Sequence, residues 1–378
     1  CRLLYTYNGI AVLALSSNAV QKLWKWKRID KNPDGVSTTA VKPELWQPED
    51  GTLMINDTTD GNPEEATACL AISRNDGYTI SASGGKVKLF SMNTFKAIHT
   101  FTPAAATFLA FHPDNNNIFV IGMDDSSIQI YDFRTDKIIS KLMGHQKKIT
   151  GVAFSLFMNL LVSSGADAQL CAWNIERWEK TKTTYIRPPS NCSGALVGDT
   201  MVHFDYEGKH LLVVHKSQLA IYDGNLQCLR LWAPRDALSA PISSAVYSSD
   251  GLLVYAGFYN GAIGIFEAES LRLQSRIASS AYIPASISSG GGSVYPMVVA
   301  AHPFKPDQFA VGMSDGAVYV LEPLDTDAGM GSSGSSEQGP DDDISSDGAV
   351  YVPFETDAEV GSSGSSEQGP GRRYQQRR

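Results

Sequence analysis

Apolar residues recur along this chain in a fixed arrangement behind small turn residues. Three and five places after each turn stand apolar residues, six places after it an aromatic or large apolar residue, and usually an acidic or polar residue seven places after it. Asp125 leads in this way to Ile128, Ile130, Tyr131 and Asp132, and Asp167 leads to Leu170, Ala172, Trp173 and Asn174. Asn260 is followed by Ile263, Ile265, Phe266 and Glu267, and Asp315 by Val318, Val320, Leu321 and Glu322. Gly84 and Lys216 head weaker copies. A second apolar run precedes each turn, as at 118–121, 160–163, 252–255 and 308–311, and a third lies upstream, as at 107–111, 150–154 and 243–247. Alternation with a period of two on both sides of a tight turn predicts a β-hairpin in every unit.

Measured from turn residue to turn residue, the units step by 41, 42, 49, 44 and 55 residues. A period of about 40 to 45 with longer insertions is the spacing of WD40-type blades, each a four-stranded antiparallel sheet. A further blade fits ahead of Gly84 in the runs 3–7, 10–15 and 20–26, with either Trp24 or Trp26 at its aromatic position. The predicted fold is all-β, a seven-bladed propeller over residues 1–324. Such a ring closes on itself and leaves no free sheet edge around its axis.

Two segments fall outside this pattern. Residues 27–65 read as a long insertion whose Trp46 packs back on the ring. Residues 325–378 read as a disordered, mobile Gly/Ser tail containing GSSGSSEQGP twice, at Gly331–Pro340 and Gly361–Pro370, and SDGAVYV twice, at Ser314–Val320 and Ser346–Val352. Pro353 follows the second SDGAVYV and no strand-like runs precede it, so this copy is expected to supply no sheet. The last residues, 371–378, hold four arginines and read as a solvated end.

Composition narrows the classes. A hydrophobic fraction of 43% excludes wholesale disorder, and no run of apolar residues is long enough to span a bilayer. The chain starts with Cys and not Met and enters a strand-like run at once, which reads as part of a longer polypeptide without a secretion signal. Its five cysteines form no C-x-x-C pair, which speaks against zinc or a disulfide framework and for a reducing compartment. Forty acidic against 31 basic residues disfavours neutralisation of a phosphate backbone. Lys22, Lys25, Lys27 and Arg28 interleave with Trp24 and Trp26, a mixture that suits base stacking or, more simply, a packed strand.

Several groups imitate catalytic chemistry. His145, Ser163 and Asp167 are the residue types of a nucleophilic triad, and Trp173 lies nearby in sequence. Gly144-His145 opens the blade, Asp167 occupies its tight turn and Trp173 its third strand, which is the arrangement in which these side chains pin a turn and a loop. A catalytic serine would also need an exposed elbow, and no G-x-S-x-G is present. The reading of all four is therefore structural. His112-Pro113 and His302-Pro303 recur at equivalent places and read as turn devices, not metal ligands. Ser83-Gly84-Gly85-Lys86 lacks P-loop spacing and joins two strands. No cofactor and no metal are expected.

The partner surface is expected on the face of the second-to-third-strand turns, which carry Lys86, Met123, Asp124, Lys216, Phe258, Tyr259 and Met313. Phe258 and Tyr259 lead this set, because aromatic residues dominate interface energetics. The alternative for Phe258 is packing beneath a neighbouring loop.

Strings across the blades add a resemblance. LWKW at 23–26, LWQP at 45–48, NPEEA at 62–66, SASGGK at 81–86 and ATFLAFHP at 106–113 belong to it, as do IGMDDSSIQIYD at 121–132, VSSGADAQLCAWN at 162–174, LVVHKSQLAIY at 212–222 and SAYIPAS at 280–286. Together, and in this order, they resemble the C-terminal WD40 propeller of the plant Topless and Topless-related transcriptional corepressors. The resemblance covers roughly residues 1–323. It implies a nuclear scaffold that joins DNA-bound repressors or adaptors to chromatin-modifying machinery, histone deacetylase complexes included, without direct sequence-specific nucleic-acid binding and without a membrane. In that family a helical N-terminal region captures the partners' repression motif, and neither it nor the first propeller lies in this sequence. The alternatives are a general cytosolic WD40 adaptor and a propeller-fold enzyme.

Overall fold

A computed structural model describes residues 2–16, 18–56, 68–83, 86–101, 105–189, 196, 198–235, 238–283, 294–323 and 349–353, without side chains for Lys86 and 349–353. It contains seven antiparallel sheets, six of four strands and one of five. In each, consecutive strands pair as a meander from the ring axis outward, and the innermost strands touch in cyclic order. Arg2–Tyr5 of blade one meets Pro296–Ala301 of blade seven and closes the ring. The seven blades foreseen from the period are present.

The core is divided among the seven blade-to-blade junctions, each filled by one apolar wedge. Between blades three and four, for instance, Val120, Ile128, Ile130 and Leu142 pack against Ile149, Val152, Leu161 and Trp173. Blade four shows why its strands lie where they do. Leu160–Gly165 and Gln169–Asn174 are nearly continuous small or apolar runs and are buried on both faces, whereas the outer strand Lys180–Tyr185 is polar and exposed. The junction of blades one and seven adds a polar seam. Tyr5 Oη donates to Gln308 Oε1 (3.2 Å) and Lys305 Nζ donates to the Ser37 carbonyl (2.8 Å).

The recurring turn has a local cause. Asp125, Asp167, Asn260 and Asp315 each accept, through Oδ1, the backbone N–H two residues on, at 3.0 to 3.1 Å. That bond holds the next residue at positive φ, with Ser126 at 69°, Ala168 at 58°, Gly261 at 84° and Gly316 at 92°. The polar residue seven places on has a role too. Asp132 and Asn174 accept backbone N–H groups of the following turn through Oδ1.

Two expectations about the irregular segments change. The insertion after blade one is part of the sheet, since Glu44–Trp46 is that blade's fourth strand and Met54–Ile55 pairs with Val20 and Gln21. Trp46 packs edge-on against Phe95 at 4.8 Å, as its hydrophobicity suggested, with Lys25 Nζ 3.6 Å above its ring. The second SDGAVYV copy, expected to supply no sheet, provides the fourth strand of blade seven. Ala349–Pro353 pairs antiparallel with Val318–Pro323, placing Val352 opposite Val320. One outer strand needs no runs of its own upstream, only an unpaired edge, and Pro is tolerated there at a strand end. The rest of the expected tail lies outside the described residues, as do NPEEA and Gly84-Gly85.

Candidate protein-interaction surfaces

Blade four brings its four polar residues into one buried network. Ser163 sits on the second strand and is fully buried. Its Oγ accepts the Trp173 indole N–H at 2.9 Å and lies 2.8 Å from His145 Nε2. His145 Nδ1 faces Asp167 at 3.2 Å, and Asp167 also accepts the backbone N–H groups of Gln146 (2.7 Å) and Gln169 (3.1 Å). One assignment of protons satisfies every group: Nδ1–H donates to Asp167 while Nε2 accepts from the serine hydroxyl. Burial depresses the His145 pKa, against the opposing pull of Asp167, and keeps the ring neutral. The Ser-His-Asp distances are those of a triad, but the serine oxygen is closed to solvent and already takes the indole proton. The network ties the entry loop, the tight turn and the third strand together. Two other histidines hold first-to-second-strand turns on the opposite face, in blades three and seven. His112 Nδ1 accepts the N–H groups of Asp114 and Asn115, and His302 Nδ1 those of Phe304 and Lys305. Among the described residues no three His, Cys, Asp or Glu side chains are placed to hold a metal ion.

The second-to-third-strand face differs from the expected surface. Phe258 and Met313 are fully buried and Met123 nearly so. Each is the last residue of a second strand (Leu253–Phe258, Phe309–Met313, Ile118–Met123) and still points into an inter-blade wedge. Phe258 packs in the wedge between blades five and six, its ring 6.0 Å from that of Trp232 on the outer strand of blade five. The following residue, Tyr259, is 45% exposed and leans on Tyr295 with ring centroids 4.8 Å apart. Lys216 and Asp124 are exposed on the same set of turns. Lys86 heads the third strand of blade two. Trp24 and Trp26 are both buried in the junction of blades one and seven, which removes them from base stacking.

The opposite face carries what the repeat pattern did not disclose. First-to-second-strand turns meet their neighbours there, for example where the N–H groups of Tyr7 and Asn8 donate to Asp76, and where Ser155 Oγ donates to the Gly208 carbonyl. Phe157, Tyr206, Leu252 and Phe304 stand exposed on these turns. Their only signal in the sequence is an apolar residue inside punctuation, as in Asp205-Tyr206-Glu207-Gly208.

Comparison with known proteins agrees with this architecture. A family model described as WD domain, G-beta repeat matches residues 95–132 and 136–174. Over 347 residues, 91% of the chain and 30% of the relative, the sequence is 67% identical to Protein TOPLESS-RELATED PROTEIN 2 of Oryza sativa subsp. japonica. Over 341 residues, 89% of the chain and 30% of the relative, it is 51% identical to Protein TOPLESS of Arabidopsis thaliana. Topless-related protein 3 of Arabidopsis thaliana matches at 52% identity over 87% of the chain and 30% of that relative. The chain thus spans about a third of the length of the curated relatives it matches. It carries WD40 repeats in a seven-bladed propeller and is a homologue of the Topless and Topless-related proteins.

Proposed function

We propose that the chain is a protein-interaction scaffold of a transcriptional corepressor, acting in the nucleus to hold DNA-bound repressors or their adaptors near chromatin-modifying machinery such as histone deacetylase complexes. The observation that carries this reading is the 51–67% identity to Topless and Topless-related proteins over about nine-tenths of the chain. The physical picture supports it. Seven wedges fix the strands, and turn residues vary on both faces without disturbing them. The triad-like group of blade four is sealed from solvent, and the reading assigns the chain no catalysis. On the second-to-third-strand face the contact rests on Tyr259 with Tyr295, and Lys216 of the preceding blade is exposed beside them; Asp124 and Lys86 belong to turns of blades three and two on the same face. The described strands from Arg2–Tyr5 to Val318–Pro323, together with Ala349–Pro353, form the propeller body in this reading.

Tethering tests it. The full chain fused to a sequence-specific DNA-binding domain should lower transcription of a reporter carrying the cognate sites several-fold, and a histone deacetylase inhibitor should relieve the effect. Unchanged transcription at normal nuclear abundance would overturn the reading.

A further inference from the structure

Between blades five and six, on the face of the first-to-second-strand turns, lies a cleft of about 840 Å³. Its wall is acidic: Asp205, Glu207, Asp250, Glu267 and Glu269 line it, opposed by Arg230 and His210. Several of these carboxylates hold the turns themselves. Asp205 accepts from the Lys209 N–H (2.7 Å) and faces His210 Nδ1 (2.8 Å), Asp250 accepts from the Leu252 N–H (3.0 Å), and Glu207 pairs with Lys209. Glu269 has no hydrogen-bond or ion-pair partner among the described residues. Tyr247 lines the cleft and is only 5% exposed, and its hydroxyl has no hydrogen-bond partner among the described residues. A buried hydroxyl left unpaired is destabilising, and a ligand's polar group would relieve that cost. The rim is apolar, with Tyr206 81% and Leu252 66% exposed and Leu229 beside them.

We propose that this cleft binds an extended segment of a partner protein in which a lysine or arginine stands next to a large apolar residue. The cation meets the acidic wall at Glu269, a polar group of the segment pairs with the Tyr247 hydroxyl, and the apolar neighbour covers Tyr206 and Leu252. Charge complementarity selects this occupant, since five carboxylates against one arginine and one histidine disfavour an acidic segment. The volume suits a few side chains, not a folded domain. The inference deepens the scaffold reading, yet it is tested by binding alone and can fail while tethered repression succeeds.

The test uses the full chain and a short fluorescent peptide alternating leucine with arginine, titrated by polarisation. Saturable binding is expected. Glu207→Lys with Glu269→Lys should weaken it at least tenfold, and Tyr206→Ala with Leu252→Ala at least fivefold. Tyr247→Phe should weaken it severalfold while leaving the melting temperature unchanged or higher, an outcome that a purely structural tyrosine would not give. Equal affinity for a peptide carrying glutamate in place of arginine, or unchanged affinity in the double lysine variant, would overturn the proposal. So would a threefold or larger gain in affinity when Arg372, Arg373, Arg377 and Arg378 are replaced by serine, because the chain's own end would then be the occupant.

Discussion

Replacing Ser163 with alanine removes one oxygen from the fully buried centre of the blade-four network. The Trp173 N–H, 2.9 Å away, loses its acceptor, and His145 Nε2, 2.8 Å away, loses its donor. Neither can turn to water, because His145 and Trp173 are themselves buried. Each orphaned group costs about 1–3 kcal/mol, so Ser163→Ala should destabilise the chain by roughly 2–6 kcal/mol. Trp173→Phe keeps most of the packing and removes the indole donor, so combining it with Ser163→Ala should cost less than the sum by on the order of 1 kcal/mol. Urea unfolding followed by circular dichroism supplies all four corners of the cycle. A Ser163→Ala variant within about 0.5 kcal/mol of the parent, with strictly additive effects, would refute the network as a source of stability.

Other outcomes follow from single features. Burial, aided by Lys305, depresses the His302 pKa from 6.5 to about 4, so the fold favours the neutral ring. The associated stability is intact above the unfolded value near 6.5 and is lost as pH falls towards 4, about 3 kcal/mol in all; His302→Asn, which keeps an acceptor for the turn, should flatten that acid limb in pH-dependent melts. Gly316 sits at φ 92° with open space where a Cβ would go, so Gly316→Ala should cost about 1 kcal/mol from backbone strain alone, and Ser126→Gly should gain a few tenths to about 1 kcal/mol, both readable by thermal melts. A Val320→Cys, Val352→Cys pair should form a disulfide on mild oxidation while Val320→Cys, Ala349→Cys should not; equal yields would reject the register of the last strand.

The sequence made the blades legible because the device that builds each one is local. An Asp or Asn side chain bonds the N–H two residues on, so turn, hairpin and period lie within a few positions of one another. The blade-four network was legible for the same reason, its members falling at fixed offsets from Asp167. What escaped notice depends on distant neighbours. Phe258 and Tyr259 are adjacent and chemically alike, yet one fills the wedge beside Trp232 and the other reaches solvent, a difference set by the preceding blade. The outer strands of blades one and seven arrive over long connections, so no local alternation tied Glu44–Trp46 or Ala349–Pro353 to its sheet. The acidic cleft is joined from turns of two blades and shows no motif in either.

In the proposed scaffold role this propeller works by presenting surfaces, and its buried Ser-His-Asp group contributes to stability alone. Repression by the tethered full chain, normalised to folded nuclear protein, tests this most directly in Ser163→Ala. Unchanged repression per folded molecule, with any loss tracking abundance, is the predicted result. Loss of repression at full abundance and unaltered stability would contradict it.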